Sequence, residues 1–122
     1  MEWKVLLDQQ FETWLLEQEP RVRQTITAHA KLLATFGPKL GRPYVDTLKG
    51  SKLTNLKELR VQHQGEPWRV LFAFDPERRA ILLIGGNKQG NSQWYKKAIP
   101  LAEKRYWQHL EQMEKDNDEK SG

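Results

Sequence analysis

Residues 56–88 read LKELRVQHQGEPWRVLFAFDPERRAILLIGGNK, and their alternation decides the fold. Side chains on an extended chain point to opposite faces in turn. In Leu56–Gln62, Leu59 and Val61 share one face, while Glu58, Arg60 and Gln62 share the other. Residues Gly65–Pro67 carry a turn. Trp68–Asp75 then places Trp68, Val70, Phe72 and Phe74 on one face, with Arg69, Leu71 and Ala73 opposite. A second turn falls at Asp75-Pro76-Glu77-Arg78, where Asp and Pro supply local hydrogen bonding and a preset φ. Ala80–Ile84 is apolar on both faces, as an interior strand must be. Three strands joined by short turns make an antiparallel meander.

The flanks add helices. Residues 2–7, EWKVLL, read as a first strand, and Asp8 stands where a carboxylate can cap the next helix. Phe11, Trp14 and Leu15 follow at helical spacing. Pro20 breaks that pattern and suits the first turn of a second helix, striped by Val22, Ile26, Ala30 and Leu33 and widened by His29 and Leu32. Gly37-Pro38 stops it, completing an αα-hairpin. Residues 37–55 are loop-like, with a short strand or turn near Tyr44–Leu48. A C-terminal helix is expected from Gln93 to about Glu114 on the spacing of Tyr95, Ile99, Ala102, Tyr106 and Leu110. Pro100 predicts a break or a restart within it. The expected class is α+β, with the helices on one side of the sheet. Residues 1–110 read as a single domain, and 111–122 as an acidic, flexible tail.

Composition narrows the functional classes. The net charge is +4 over 122 residues, but 111–122 hold five acidic against two basic side chains, so +7 remains on 1–110. A basic body favours polyanions or an acidic protein partner, although a solvated lysine-rich surface gives the same sum. The longest apolar run is far short of the roughly 20 residues that span a bilayer, and the N-terminus lacks the apolar stretch of a secretory signal, so no membrane partner is expected. There is no cysteine, which suits a reducing cytoplasm. His29, His63 and His109 are far apart with no carboxylate at ligand spacing, so no metal site and no cofactor is expected. The lysine of GGNKQG lacks the spacing and the following Ser/Thr of a P-loop.

What remains is a basic and aromatic set at the ends of strands. Arg60 and Arg69 flank one turn at similar distances, so the meander lets them converge. Lys88 leaves the third strand after two glycines, and Trp94 and Tyr95 open the last helix. Taken singly, each has an ordinary reading: a solvated strand arginine, a loop lysine, or an aromatic in the core.

The series ELR, a short turn, WRVLFAFDP, AILLIGGNK, then WY and IP resembles the HigB-type toxins of the RelE/ParE superfamily, in their phage-derived branch. The likeness covers roughly residues 2–110. It implies a RelE-like fold of the microbial ribonuclease type. It also implies a cytoplasmic toxin of a type II toxin–antitoxin module, cutting mRNA on the ribosome without a metal. The implied partners are a helix-turn-helix antitoxin of the HigA type, the ribosome and its mRNA, and operator DNA reached only through the antitoxin. On the same scaffold, ParE-like members inhibit DNA gyrase, and a non-enzymatic corepressor is a third reading. By position, the resemblance assigns Arg69 to the scissile phosphate and Lys88 to transition-state or leaving-group charge. Tyr95 would orient or deprotonate the 2′-OH, or stack on a base. Arg60 would bind a flanking phosphate or pair with Glu58 or Glu66, Trp94 would stack on a base, and His63 is an alternative proton carrier. The chain lacks the lysine-rich loop of some RelE proteins and the acidic-aromatic-histidine triplet of some HigB proteins, which leaves the acid–base pair open.

Overall fold

Two tight turns set the register of the central strands. At the first, Gln64 and Gly65 both adopt positive φ, 52° and 79°. That pairing of left-handed residues twists a two-residue hairpin to match its strands. Pro67 therefore falls inside a strand, paired with Gln62, rather than in the turn as expected. At the second, the Asp75 carboxylate accepts from the backbone N–H groups of Glu77 and Arg79, both at 2.9 Å. The computed structural model describes residues 2–121. In chain order these form β1 (Lys4–Leu7), α1 (Gln9–Leu16), α2 (Pro20–Phe36), a single 3₁₀ turn, β2 (Val45–Thr47), β3 (Lys57–His63), β4 (Glu66–Phe74), β5 (Arg79–Asn87) and α3 (Trp94–Ser121).

The expected meander is β3-β4-β5, and the sheet extends it on both sides to the order β1-β5-β4-β3-β2. β1 joins β5 in parallel, the one parallel pairing among the described residues. The helix signals act as read. Asp8 accepts from the N–H groups of Gln10 and Phe11, a cap worth about 1 kcal/mol. Pro20 opens α2, and Gly37, at φ 57°, closes it. The class is α+β, with three helices on a mixed five-stranded sheet.

Cover on one side only is the expectation the structure overturns. α1 and α2 bury Phe11, Val22, Ile26 and Leu33 against Leu59, Val61, Val70 and Phe72. α3 packs on the opposite face, laying Ala98, Ala102 and Tyr106 against Leu71, Ala73, Ile81 and Leu83. The reason is in β4 and β5, whose neighbouring residues are apolar in both directions and need cover on both faces. Alanines at 98 and 102 let the helix axis come close to the sheet.

α3 also runs unbroken through Pro100. Proline forfeits one helical hydrogen bond, that to Lys96. Both residues lie on the exposed side of the helix, where water can take the freed carbonyl. The acidic segment expected to fray continues this helix, and Met113 within it is buried.

Two polar anchors tie α3 down. A register irregularity between Leu71 and Phe72 leaves Leu83 without a partner on β4, and Arg105 donates to its carbonyl at 2.8 Å. Asp75, its side chain fully buried, meets His109 Nε2 and Arg79 Nε at 2.9 and 2.8 Å. Burial alone would raise the Asp75 carboxyl. Hydrogen bonds from His109 and Arg79 outweigh that and hold it below the usual carboxylate value. A depressed folded pKa contributes stability above the unfolded value and loses it as pH falls through the folded one. Urea denaturation of Asp75→Asn should therefore show a deficit near neutral pH that shrinks as the solution is acidified below about pH 4. A deficit independent of pH would show that the charge of Asp75 contributes nothing.

Candidate active site

The face of the sheet under the start of α3 collects the charged residues of the meander. Arg69 lies in register between Arg60 on β3 and Gly86 on β5. Its side chain is only 4% exposed. The Nε stands 3.0 Å from Glu58 Oε1, in ion-pair contact but without the alignment of a hydrogen bond. Nη1 donates to the Trp68 carbonyl at 2.9 Å. The same Glu58 oxygen accepts from the Tyr95 hydroxyl at 2.8 Å. Lys88 Nζ sits over the Tyr95 ring, 5.4 Å from its centroid. Arg69, Glu58, Tyr95 and Lys88 thus form one connected chain of contacts drawn from two strands, the loop that follows a third, and a helix.

Each glycine of Gly85-Gly86 faces a different layer. A Cβ on Gly85 would meet the rings of Trp14 and Phe11 under α1, and one on Gly86 would collide with the Trp94 indole of α3. The missing side chains let both helix layers close onto the end of β5. Lys88 follows directly, and its N–H donates to the Pro67 carbonyl at 3.1 Å. Beside Glu58 and Tyr95 opens a groove of about 410 Å3, lined also by Arg42, Thr47, Lys49 and Ile99.

The family described as "Phage derived protein Gp49-like" matches residues 13–107. The chain belongs to this Gp49-like family. Two Mycobacterium tuberculosis (strain ATCC 25618 / H37Rv) proteins named as candidate toxins are relatives. HigB3 is 45% identical over 102 residues, spanning 83% of this chain and 88% of the relative. HigB2 is 42% identical over 108 residues, spanning 87% of this chain but 54% of the relative, so this chain covers about half the length of HigB2. Among solved structures, a double arginine mutant of the Escherichia coli toxin RelE in the free state superposes with a TM-score of 0.61 at 13% identity, over 82% of this chain and 97% of the other. A chain of the archaeal RelE–RelB complex from Pyrococcus horikoshii OT3 gives 0.53 at 16% identity, over 72% of this chain and 97% of the other. At those identities the likeness establishes a RelE-like fold.

Within this Gp49-like chain the expected site residues separate. Arg69, Lys88 and Tyr95 come together, with Trp94 edge-on to Tyr95 at 5.1 Å. Arg69 is not free to clamp a phosphate, because burial, Glu58 and the Trp68 carbonyl already occupy it. Arg60 shares the face, and the carboxyl its charge reaches is Asp46 at the groove. Trp94 covers Gly86 and is half-buried rather than open for stacking. His63 lies apart from the cluster: its Nδ1 meets Thr25 Oγ1 of α2 at 2.9 Å, on the opposite face. Glu58 was read only as a salt-bridge partner for an arginine. A carboxylate alternating with arginine on a basic strand face was the signal of its larger part. Among the described residues no group of three or more His, Asp or Glu side chains is placed to hold a metal, and no helix is long and apolar enough to cross a membrane.

Burial, then the hydrogen bond to Glu58 and its charge, push the Tyr95 phenol up to about 12, with Arg69 opposing. At neutral pH Tyr95 is therefore a hydrogen-bond donor, and the expected base role is lost to it. A raised folded pKa gives stability that is present below the ordinary value of 10.0 and lost as pH rises through about 12. In a spectrophotometric titration the Tyr95 midpoint, identified by its loss in Tyr95→Phe, should lie at about 12, and Glu58→Gln should bring it down. An unchanged midpoint in Glu58→Gln would mean the carboxylate does not act on the phenol.

Proposed function

We propose that this chain is the toxin of a type II toxin–antitoxin pair, acting as a ribosome-dependent endoribonuclease that needs no metal. The observation that carries this reading is a carboxylate and a phenol hydrogen-bonded at the wall of one groove, with a lysine ammonium over the phenol ring. RNA can cleave itself when its 2′-OH attacks the adjacent phosphorus, yielding a 2′,3′-cyclic phosphate and a free 5′-OH. The reaction needs a proton acceptor at the 2′-oxygen, positive charge at the phosphoryl oxygens, and a proton for the departing 5′-oxygen, which water can supply. DNA lacks the attacking hydroxyl and is spared.

Glu58 reaches the groove and has an oxygen to accept the 2′ proton. Tyr95 and Arg69 hold that carboxylate in place, so both are positioning residues here. Lys88, beside Tyr95 and half-exposed, supplies charge to the phosphoryl oxygens and the departing 5′-oxygen. Arg42 and Lys49 on the groove wall, with Arg60 close enough to act on Asp46, give the positive potential a flanking backbone requires. The cluster is small and confined, and the ribosome would contribute the remaining alignment of the message. The antitoxin partner follows from the toxin reading, as does a cytoplasmic setting.

The test is a reconstituted translation reaction with mapping of transcript ends. Wild-type protein should cut mRNA within coding sequence, and only when ribosomes are translating. Glu58→Gln and Lys88→Ala should each slow cutting by about 100-fold or more, while Tyr95→Phe costs about tenfold. Intact mRNA with the wild-type protein would remove the nuclease reading, and wild-type rates in Glu58→Gln would remove its assigned base.

A further inference from the structure

The face of the molecule away from Tyr95 carries an unused groove. Two hollows of about 470 and 240 Å3 adjoin there and share Leu15, Thr27 and Lys31 as lining. The larger lies between α1 and α2 and includes Leu16 and Arg23. The smaller lies between α2 and β1, over Val5, Ile26 and Leu82. Leu16 is 62% exposed and Leu7 37%, so the rim as well as the floor is apolar. β1 is the outer strand at this end of the sheet and pairs on one side only.

Charge completes the description. The charged residues lining the two hollows are Arg23 and Lys31, and no carboxylate lines either. Arg23 is held at the site by donating to the Leu16 carbonyl at 3.0 Å. A nucleic-acid backbone would use the two cations but has nothing for an aliphatic floor. A neutral apolar segment would leave the cations unanswered. An acidic amphipathic segment satisfies both, with apolar side chains in the hollows and carboxylates on Arg23 and Lys31. The Glu58 groove, by contrast, is lined by acids as well as bases.

We propose that this groove, built by α1, α2 and the open edge of β1, docks an acidic amphipathic segment of the antitoxin. The proposal rests on the toxin reading, and its test separates the two. The probe is the full-length helix-turn-helix antitoxin of the pair, titrated calorimetrically against the full chain. Leu16→Asp and the double variant Arg23→Glu, Lys31→Glu change groove-lining side chains that line no part of the Glu58 groove, and unchanged thermal melting confirms folding. Each should weaken antitoxin binding by about tenfold or more, and raised salt should weaken the wild-type complex. Both variants should cut mRNA at the wild-type rate when expressed without antitoxin. Binding within about twofold of wild type in both variants overturns the proposal. So does a wild-type dimer in light scattering that Leu16→Asp makes monomeric, which would assign the groove to a second copy. Protection of the groove from hydrogen exchange by RNA alone would overturn it as well. Failure of the wild-type protein to cut mRNA, with antitoxin binding still lost in the variants, would sink the nuclease reading and leave the docking surface standing.

Discussion

A single carboxylate organises the charged face of this protein. Glu58 stands near the start of β3, nearly buried, where an unpaired ion would cost several kcal/mol. Its two neighbours remove that cost: the Arg69 guanidinium from β4 and the Tyr95 hydroxyl from α3. The consequence runs both ways. Arg69, itself buried and directly opposite Arg60, needs the same carboxylate to be tolerable there. Tyr95 is held by it at the head of α3, under Lys88. The sheet register, the seat of the last helix and the position of the free ammonium therefore depend on one another.

The two-faced sheet gives this arrangement its division of labour. One face, under α1 and α2, holds the large aromatic and aliphatic core. The other is met by Ala98 and Ala102 of α3, so that the helix can lie close, and opens into charge where the glycines end β5. Gly85 and Gly86 serve both layers at once, one admitting Trp14 and the other Trp94. The polar anchors of α3 follow the same logic. Arg105 answers the carbonyl of the irregular Leu83, and His109 answers the buried Asp75, so the long helix is fixed at several points along its inner side.

Much of this was legible from residue pattern. The alternation of Leu59 and Val61, and of Val70 and Phe72, gave the strands, while Asp8, Pro20 and Gly37 gave the ends of the helices. The parallel partner of β5 was not, because β1 reaches it across both helices of the hairpin and three strands, and no local turn records that pairing. Cover on both faces was recoverable in principle: Ala80–Ile84 is apolar throughout and cannot leave either side wet. Pro100 misled because its cost falls on an exposed carbonyl. Arg69, Lys88 and Tyr95 do lie in one chain of contacts, but burial is a tertiary property, and no sequence pattern distinguishes a buried paired arginine from one waiting for a phosphate. His63 closes β3 and not the turn, so the strand's alternation carries it to the face of Leu59 and Val61, away from Glu58. Glu58 was hidden by the ordinariness of a glutamate among arginines.

The central claim is that Glu58 and Arg69 are mutually dependent. A double-mutant cycle tests it, comparing Glu58→Leu, Arg69→Met and the pair by urea denaturation. Each single change strands one buried ion and should cost about 3 kcal/mol or more, whereas the double variant replaces both by apolar groups and should cost clearly less than the sum. Strictly additive losses would contradict the account, since they would mean that the two charges stand in the fold independently.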